Sequence, residues 1–120
     1  MTDTEMAVYL AQAKVASLAQ ARALAADCRE DEARLEKIRA NVYDIFSAVH
    51  KLALQKPREE REAFFLEKLE TIPANWRRAY EAAESHSEAE KRMVEETKLA
   101  AADEIRRRYG RREGEAHDGE

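Results

Sequence analysis

The sequence predicts an all-α protein, an antiparallel helical bundle of three long helices and one short helix. Ala, Glu, Lys, Arg and Leu dominate the composition, and no segment alternates apolar and polar residues as a strand would. Only three Gly and two Pro occur in 120 residues, so turns are few and helices long. We expect one domain over residues 1–110 and a disordered charged tail over residues 111–120, which has no apolar residue larger than Ala.

The strongest helical pattern lies between Asp31 and Gln55. Apolar side chains recur there in steps of three and four residues, which at about 100° per residue places them on one face of a helix. Six aliphatic residues form this stripe: Leu35, Ile38, Val42, Ile45, Val49 and Leu52. Phe46 and Ala53 extend the same face. Because an amphipathic helix needs a partner surface, the stripe is predicted to be this helix's main contribution to the core.

A first helix is predicted to begin after Thr2, because Thr2 and Glu5 have the spacing of a capping box, in which each side chain binds a backbone N–H of the first turn. Nine of the 23 residues from Thr4 to Ala26 are Ala. The larger apolar residues point in two directions: Met6, Leu10 and Leu24 in one, and Val8, Val15 and Leu18 in the other. Apolar surface therefore nearly encircles this helix.

Two explanations fit an apolar surface of this extent. The helix is central in its bundle or is presented to a second subunit, since small side chains let other helices approach closely. Alternatively, Ala is present only for its helix propensity. On the first explanation, a homodimer is the favoured assembly, and the candidate oligomer contacts are Leu10, Val15 and Leu18.

The segment from Asp27 to Glu32 allows either a break or a continuous helix. It contains no Gly or Pro, and the apolar phase of the second helix can be continued backwards through the first. A single rod of about 50 residues, near 75 Å long, would result. We favour a break, because two helices that fold back on each other bury far more apolar surface than one rod.

Two prolines divide the rest of the chain. Pro57 suits the first position of a helix and disfavours helical conformation in the residue before it, which predicts a short helix from Pro57 to Thr71. Pro73 repeats this arrangement and predicts a last helix from Pro73 to Tyr109, with Gly110 as its C-terminal cap.

The apolar seam of the predicted last helix is strong at both ends and weak in the middle. It reads Trp76, Tyr80, Ala83, Ser87, Glu90, Val94, Thr97, Ala101 and Ile105. Glu90 on this seam is a candidate functional carboxylate, because burying a carboxylate without a partner is costly. Pairing with an arginine of another helix, or a seam that opens to water, would explain it without a functional role.

Few residues suggest catalysis or metal binding. None of the histidines (His50, His86 and His117) follows a Glu or another His by three residues, as the Glu-x-x-His pair on a metal-binding bundle helix would require. Cys28, the single cysteine, cannot form an internal disulfide, and we expect it to be partly buried and unreactive. The sequence therefore predicts no catalytic residue, no cofactor and no bound metal.

Pairs of glutamates three residues apart give a third functional reading. They are Glu59 and Glu62, Glu67 and Glu70, and Glu81 and Glu84. This spacing resembles the carboxylate pairs that hold magnesium in all-α nucleotide pyrophosphatases. That family adds a downstream Glu-x-x-Asp on another helix, and here the only such pair is Glu115 and Asp118 in the tail. The resemblance implies a metal-dependent nucleotide hydrolase.

Five arginines surround Tyr109 without an acidic residue among them: Arg106, Arg107, Arg108, Arg111 and Arg112. Cations around a stacking tyrosine are typical of a contact with the phosphates of nucleic acid or anionic lipid. Cations at the end of a helix also favour its macrodipole, and the four acidic residues from Glu113 to Glu120 would mask them.

The leading hypothesis is a small cytoplasmic scaffold or protein-interaction module that self-associates and has no catalytic activity. The net charge of −4 implies no bulk attraction to nucleic acid. No run of about 18 apolar residues is present to span a membrane. A regulator that contacts nucleic acid through the arginine cluster is the alternative, and the helical hydrolase comes third.

Overall fold

A computed structural model describes the backbone of residues 2–118 and the side chains of residues 2–110. All regular structure in this part of the chain is helical, which confirms the prediction of an all-α fold. The four helices are α1 (Asp3–Ala26), α2 (Glu30–Leu54), α3 (Arg58–Ser85) and α4 (Ala89–Asp118). All four are long, and each connection between them has three residues.

The capping box at the start of α1 is present. The backbone N–H of Glu5 donates to Thr2 Oγ1 at 3.1 Å, and the backbone N–H of Thr2 donates to Glu5 Oε1 at 2.8 Å. The hydrogen bond from the Thr2 backbone lowers the pKa of Glu5. Two N–H groups that the helix itself leaves unpaired are thereby satisfied, which fixes where α1 begins.

The chain breaks between α1 and α2 without a glycine. Cys28 adopts the left-handed conformation, with φ of 60°, and the Arg29 N–H donates to the carbonyl of Leu24 at 2.8 Å. The same arrangement ends α3, where Ser87 has φ of 55° and the Glu88 N–H donates to the carbonyl of Ala83 at 2.8 Å. Both turns follow the Schellman pattern, in which a left-handed residue lets the next N–H reach back to the last helical turn.

Ser87 offers a direct test of this turn, because the left-handed conformation costs a residue with a β-carbon about 1–2 kcal/mol. Replacing Ser87 with Gly is expected to raise the free energy of unfolding by about 0.5–1 kcal/mol, since part of the gain is lost to the greater entropy of glycine in the unfolded chain. Urea unfolding measures the change. Ser87→Ala keeps the β-carbon and serves as the control; equal stability of the two variants would contradict the explanation.

Pro73 does not end a helix, so the predicted short helix from Pro57 to Thr71 is wrong. α3 continues through Pro73, although the proline has no N–H to donate to the carbonyl of Leu69. Two observations explain why the helix continues. Leu69 is buried and Trp76, on the other side of the proline, packs against the same core. In addition, Arg77 Nη2 donates to the carbonyl of Glu70 at 3.1 Å, one turn before the proline.

The predicted last helix is instead divided by the turn at residues 86–88. The weak middle of its apolar seam marks that turn, because Ser87 lies in it and Glu90 lies just after it. The two strong ends of the seam belong to different helices, with Trp76 on α3 and Ile105 on α4. The sequence pattern was therefore real, but it belongs to two helices.

Gly110 lies inside α4 and is not the cap that the sequence predicts. No glycine of the described residues has the positive φ of a glycine cap. The described backbone of residues 111–118 is the last part of α4. The disordered charged tail over residues 111–120 stays a prediction, because the side chains of these residues lie outside the described part of the chain.

Helix α2 is the centre of the bundle, since it contacts α1, α3 and α4. α1 and α2 run in opposite directions, since Asp3 at the start of α1 lies beside His50 near the end of α2, with 3.7 Å between Asp3 Oδ1 and His50 Nε2. The ion pair of Lys14 Nζ with Asp44 Oδ1 at 2.9 Å joins the middles of the two helices. Tyr109 near the end of α4 lies 4.6 Å, ring to ring, from Phe65 near the start of α3, so these two helices also run in opposite directions. The largest fully buried side chains come from all four helices: Met6, Leu10, Val42, Phe46, Phe65 and Ile105.

The buried face of α2 is rotated away from the predicted aliphatic stripe. Val42 and Val49 are buried, but Ile45 is half-buried and Leu52 is 52% exposed. Phe46 and Ala53, which extend the predicted face, are buried. Four residues outside that face are also buried: Ala33, Ala40, Tyr43 and His50. Because α2 packs against three helices, its buried arc is wide, and the stripe forms only one edge of that arc.

Candidate functional site

The outward face of α1 is the candidate functional site. Val8 and Val15 lie two helical turns apart, so both point the same way, and they are 48% and 63% exposed. Exposed small side chains continue this face along the helix: Ala11, Ala19 and Ala26. The fully buried residues Met6 and Leu10 lie on the opposite side of the same helix. The face is thus an apolar surface that no other described residue covers.

The exposed surface of α1 differs in charge from the rest of the molecule. Only two of its twelve exposed residues are charged, Glu5 and Arg22. On α3, nine of the fifteen exposed residues are charged. An exposed helix surface so poor in charge stands out in a chain that is 38% charged, and depletion of charge is typical of the centre of a protein contact.

Contacts on the inward side of α1 set which face points outward. Tyr9 Oη donates to Glu104 Oε1 at 3.0 Å, and Tyr43 Oη donates to Glu104 Oε2 at 2.6 Å, so one carboxylate ties α1, α2 and α4 together. Burial, aided by the hydrogen bond to Glu104, raises the pKa of Tyr43 to about 12. Burial also raises the pKa of Tyr9. Both phenols therefore stay protonated at neutral pH and act as hydrogen-bond donors.

A second set of contacts holds the first turn of α1. Asp3 Oδ1 lies 3.7 Å from His50 Nε2, and Asp3 Oδ2 lies 3.8 Å from Arg61 Nη1. His50 is only 2% exposed. Its ring packs edge-on against Phe65, with 5.6 Å between the ring centres. These contacts fix the rotation of α1 about its axis.

The three predicted oligomer contacts lie in different places. Leu10 is fully buried in the core of its own chain, so it is not on a contact surface. Val15 is exposed at the centre of the outward face, and Leu18 is half-buried at its edge. Val8 is the residue that the prediction left out in favour of Leu10. Val8 was predictable as a contact residue, because the helical spacing in the sequence places Val8 and Val15 on one side of α1 and Leu10 on the other.

The arginine cluster does not form one basic surface in the described part of the chain. Arg106 Nη1 lies 3.3 Å from Glu70 Oε2, and Arg107 Nη2 lies 2.8 Å from Asp103 Oδ2. Arg108 lies over the ring of Tyr9, with its guanidinium carbon 4.7 Å from the ring centre. Tyr109 is 2% exposed, so its ring is not free to stack on a base. The side chains of Arg111 and Arg112 lie outside the described residues.

A cleft of about 610 Å³ opens between the start of α2, the end of α3 and the start of α4. Its lining includes His86 and carries charges of both signs: Arg34, Lys91, Glu88, Glu90 and Glu95. The side chain of Glu90 is 84% exposed and its Oε1 lies 4.0 Å from Arg34 Nη1 of α2. The seam therefore opens to water at Glu90 and an arginine of another helix is close to it, so the explanation without a functional role fits this carboxylate. Mixed charge on an open cleft does not indicate one class of ligand.

The remaining candidates from the sequence do not come together. All six glutamates that suggested a metal-dependent hydrolase lie on α3. The side chains of Glu115 and Asp118 are outside the described residues. Among the described residues, no group of three or more His, Cys, Asp or Glu side chains could hold a metal ion. Cys28 is exposed, although it was expected to be partly buried, because its left-handed turn projects from the end of the bundle.

The chain matches no known family model, and neither the curated proteins nor the solved structures include one that is similar to it. Within the described residues, no helix combines the length and the apolar character that crossing a membrane requires.

Proposed function

We propose that the protein is a small helical scaffold without catalytic activity, which forms a homodimer through the outward face of α1 and offers its other surfaces to protein partners. The uncharged exposed surface of α1 is the observation that supports this proposal. The single cysteine, which cannot form an internal disulfide, favours a reducing location such as the cytoplasm.

The proposed contact is apolar but modest. Burying the exposed parts of Val8 and Val15 is worth about 1 kcal/mol each, at roughly 25 cal/mol per Å². Small residues at Ala11 and Ala19 let a second helix approach to about 8 Å, which adds van der Waals contact along the helix. Association also costs rotational and translational freedom. We therefore expect a weak dimer whose population depends on protein concentration.

The nucleic-acid alternative has less support from the described residues. Its stacking tyrosine, Tyr109, is buried, and three of its five arginines already lie against Glu70, Asp103 and the ring of Tyr9. To bind phosphates, these arginines would have to leave their present partners. A contact through the outward face of α1 does not require any existing contact to break.

Replacing Val15 with Glu is expected to dissociate the dimer, because a carboxylate would be placed in the centre of an apolar contact. Sedimentation velocity over a range of protein concentrations measures the effect. We expect wild-type protein to shift from monomer to dimer as concentration rises, and Val15→Glu to remain monomeric throughout. At a concentration where wild-type protein is mainly monomeric, both proteins should unfold at similar temperatures, since Val15 is 63% exposed.

Gln20→Glu is the matched control. Gln20 is an exposed residue of the same helix, about 140° around the axis from Val15, and this substitution adds the same charge. The Gln20→Glu variant should dimerise like wild-type protein. A wild-type chain that stays monomeric at several hundred micromolar, or equal dimerisation of both variants, would contradict the proposed function.

A further inference from the structure

We infer that two copies of the chain pack α1 against α1 in antiparallel orientation, with the crossing point between residues 13 and 14. This inference rests on the proposed function and specifies the partner and geometry of the same face. It follows from the positions of the two exposed charges, the distribution of large and small residues along the face, and the direction of the helix dipoles.

The exposed charges of α1 lie towards its two ends and have opposite signs. Glu5 is in the first turn, and Arg22 is in the next-to-last turn. A parallel pair would place Glu5 next to the partner's Glu5 and Arg22 next to the partner's Arg22, so both ends would repel. An antiparallel pair lays the Glu5 end of each helix against the Arg22 end of the other, so both ends attract. The helix dipoles also favour opposite directions.

The sizes of the side chains favour the same orientation. When the helices cross between residues 13 and 14, residue n of one copy lies opposite residue 27 minus n of the other. Val8 then faces the partner's Ala19, and Val15 faces the partner's Gln12. A parallel pair would instead place Val8 against Val8 and Val15 against Val15, leaving gaps between the alanines. Packing large residues against small ones lets the helices interdigitate along the whole face.

Cys28, the only cysteine, reports the orientation without any mutation. It is exposed and lies just beyond the end of α1. In a parallel dimer the two Cys28 thiols would be neighbours. In the antiparallel dimer they would be separated along the helix axis by about 40 Å, at 1.5 Å per residue. A short bifunctional thiol reagent can join the first pair and cannot reach across the second.

The experiment treats full-length protein with a short bismaleimide, whose span is far below the separation of the two Cys28 thiols in the antiparallel dimer, at a concentration where sedimentation shows the dimer. Three proteins are compared: wild type, Cys28→Ser/Val15→Cys and Cys28→Ser/Gln20→Cys. We expect the Val15→Cys protein to be cross-linked at least ten times more than the other two. Its two thiols lie near the crossing point, whereas those of wild type are far apart and those of Gln20→Cys point away from the contact.

One result would overturn the antiparallel arrangement while leaving the proposed α1 dimer in place, and a second would overturn both. Efficient cross-linking of wild type through Cys28 would show a parallel dimer. A dimer in which Val15→Cys is cross-linked no more than Gln20→Cys would show that α1 is not at the contact. If none of the three proteins sediments as a dimer, the proposed function itself fails, so the two failures are distinguishable.

Discussion

Replacing Phe46 with Ala is expected to lower the free energy of unfolding by about 3–5 kcal/mol. The ring of Phe46 is fully buried and meets Phe65 edge-on, with 6.3 Å between the ring centres. The substitution leaves a cavity between α2 and α3, and the lost contacts cannot be recovered because α1 and α4 also pack on α2. Equilibrium unfolding in urea, followed by circular dichroism, measures the loss.

Leu52→Ala is the matched control, since it truncates a residue of the same helix that is 52% exposed. It should cost less than about 1 kcal/mol. Ile45→Ala should fall between the two variants, because Ile45 is half-buried at the edge of the core. If Leu52→Ala lowers the free energy of unfolding as much as Phe46→Ala, the side of α2 that carries Leu52, and not the side that carries Phe46, would be the buried one.

The difference between stripe and buried face shows what periodicity can predict. Steps of three and four residues predict that a helix is amphipathic, and α2 is. They do not predict how many neighbours the helix has. A helix with one neighbour buries a narrow stripe, whereas α2 has three neighbours and buries Ala40, Tyr43 and His50 as well. Those residues look like part of a polar or neutral side until the other helices are in place.

The helix boundaries show the same division between local and distant causes. The capping box at Thr2 depends only on residues that are close in sequence, and it was predictable. The continuation of α3 through Pro73 depends on the burial of Leu69 and the partial burial of Trp76 against the core, which offset a proline cost of about 3 kcal/mol. Sequence propensity alone therefore predicted a helix end before Pro73, whereas tertiary packing keeps the helix continuous there.

The candidate functional residues show the same difference between local and distant causes. The composition of α1 predicted an unusual surface, because a run of alanines and valines is visible in the sequence. The contacts of the arginine cluster could not be predicted, because the residues that its arginines meet are distant in sequence. Arg106 meets Glu70, 36 residues earlier, and Arg108 lies over Tyr9 at the other end of the chain. Glu104, which accepts from two tyrosines, belongs to no sequence pattern at all.

Replacing Leu10 with Glu is expected to have the largest effect of any single substitution considered for this chain. Leu10 is fully buried, so the variant loses the apolar contacts of the leucine and must also place a carboxylate where no water or partner solvates it. The cost is several kcal/mol, against a total stability of about 5–15 kcal/mol for a domain of this size. We expect the midpoint of thermal unfolding to fall by about 15 °C or more, or the protein to be unfolded at 25 °C.

Comparison with Val15→Glu separates the two faces of α1. The two substitutions add the same charge five residues apart on one helix, yet Val15→Glu should leave the monomer folded and remove only the dimer. Leu10→Met keeps the volume and the apolar character, so it should cost less than about 1.5 kcal/mol and shows that position 10 tolerates a change of shape. Thermal unfolding by circular dichroism is measured at a concentration where wild-type protein is monomeric. A folded, monomeric Leu10→Glu protein with a wild-type midpoint would mean that Leu10 lies on the contact surface and that α1 is rotated from the orientation set by Tyr9 and Asp3.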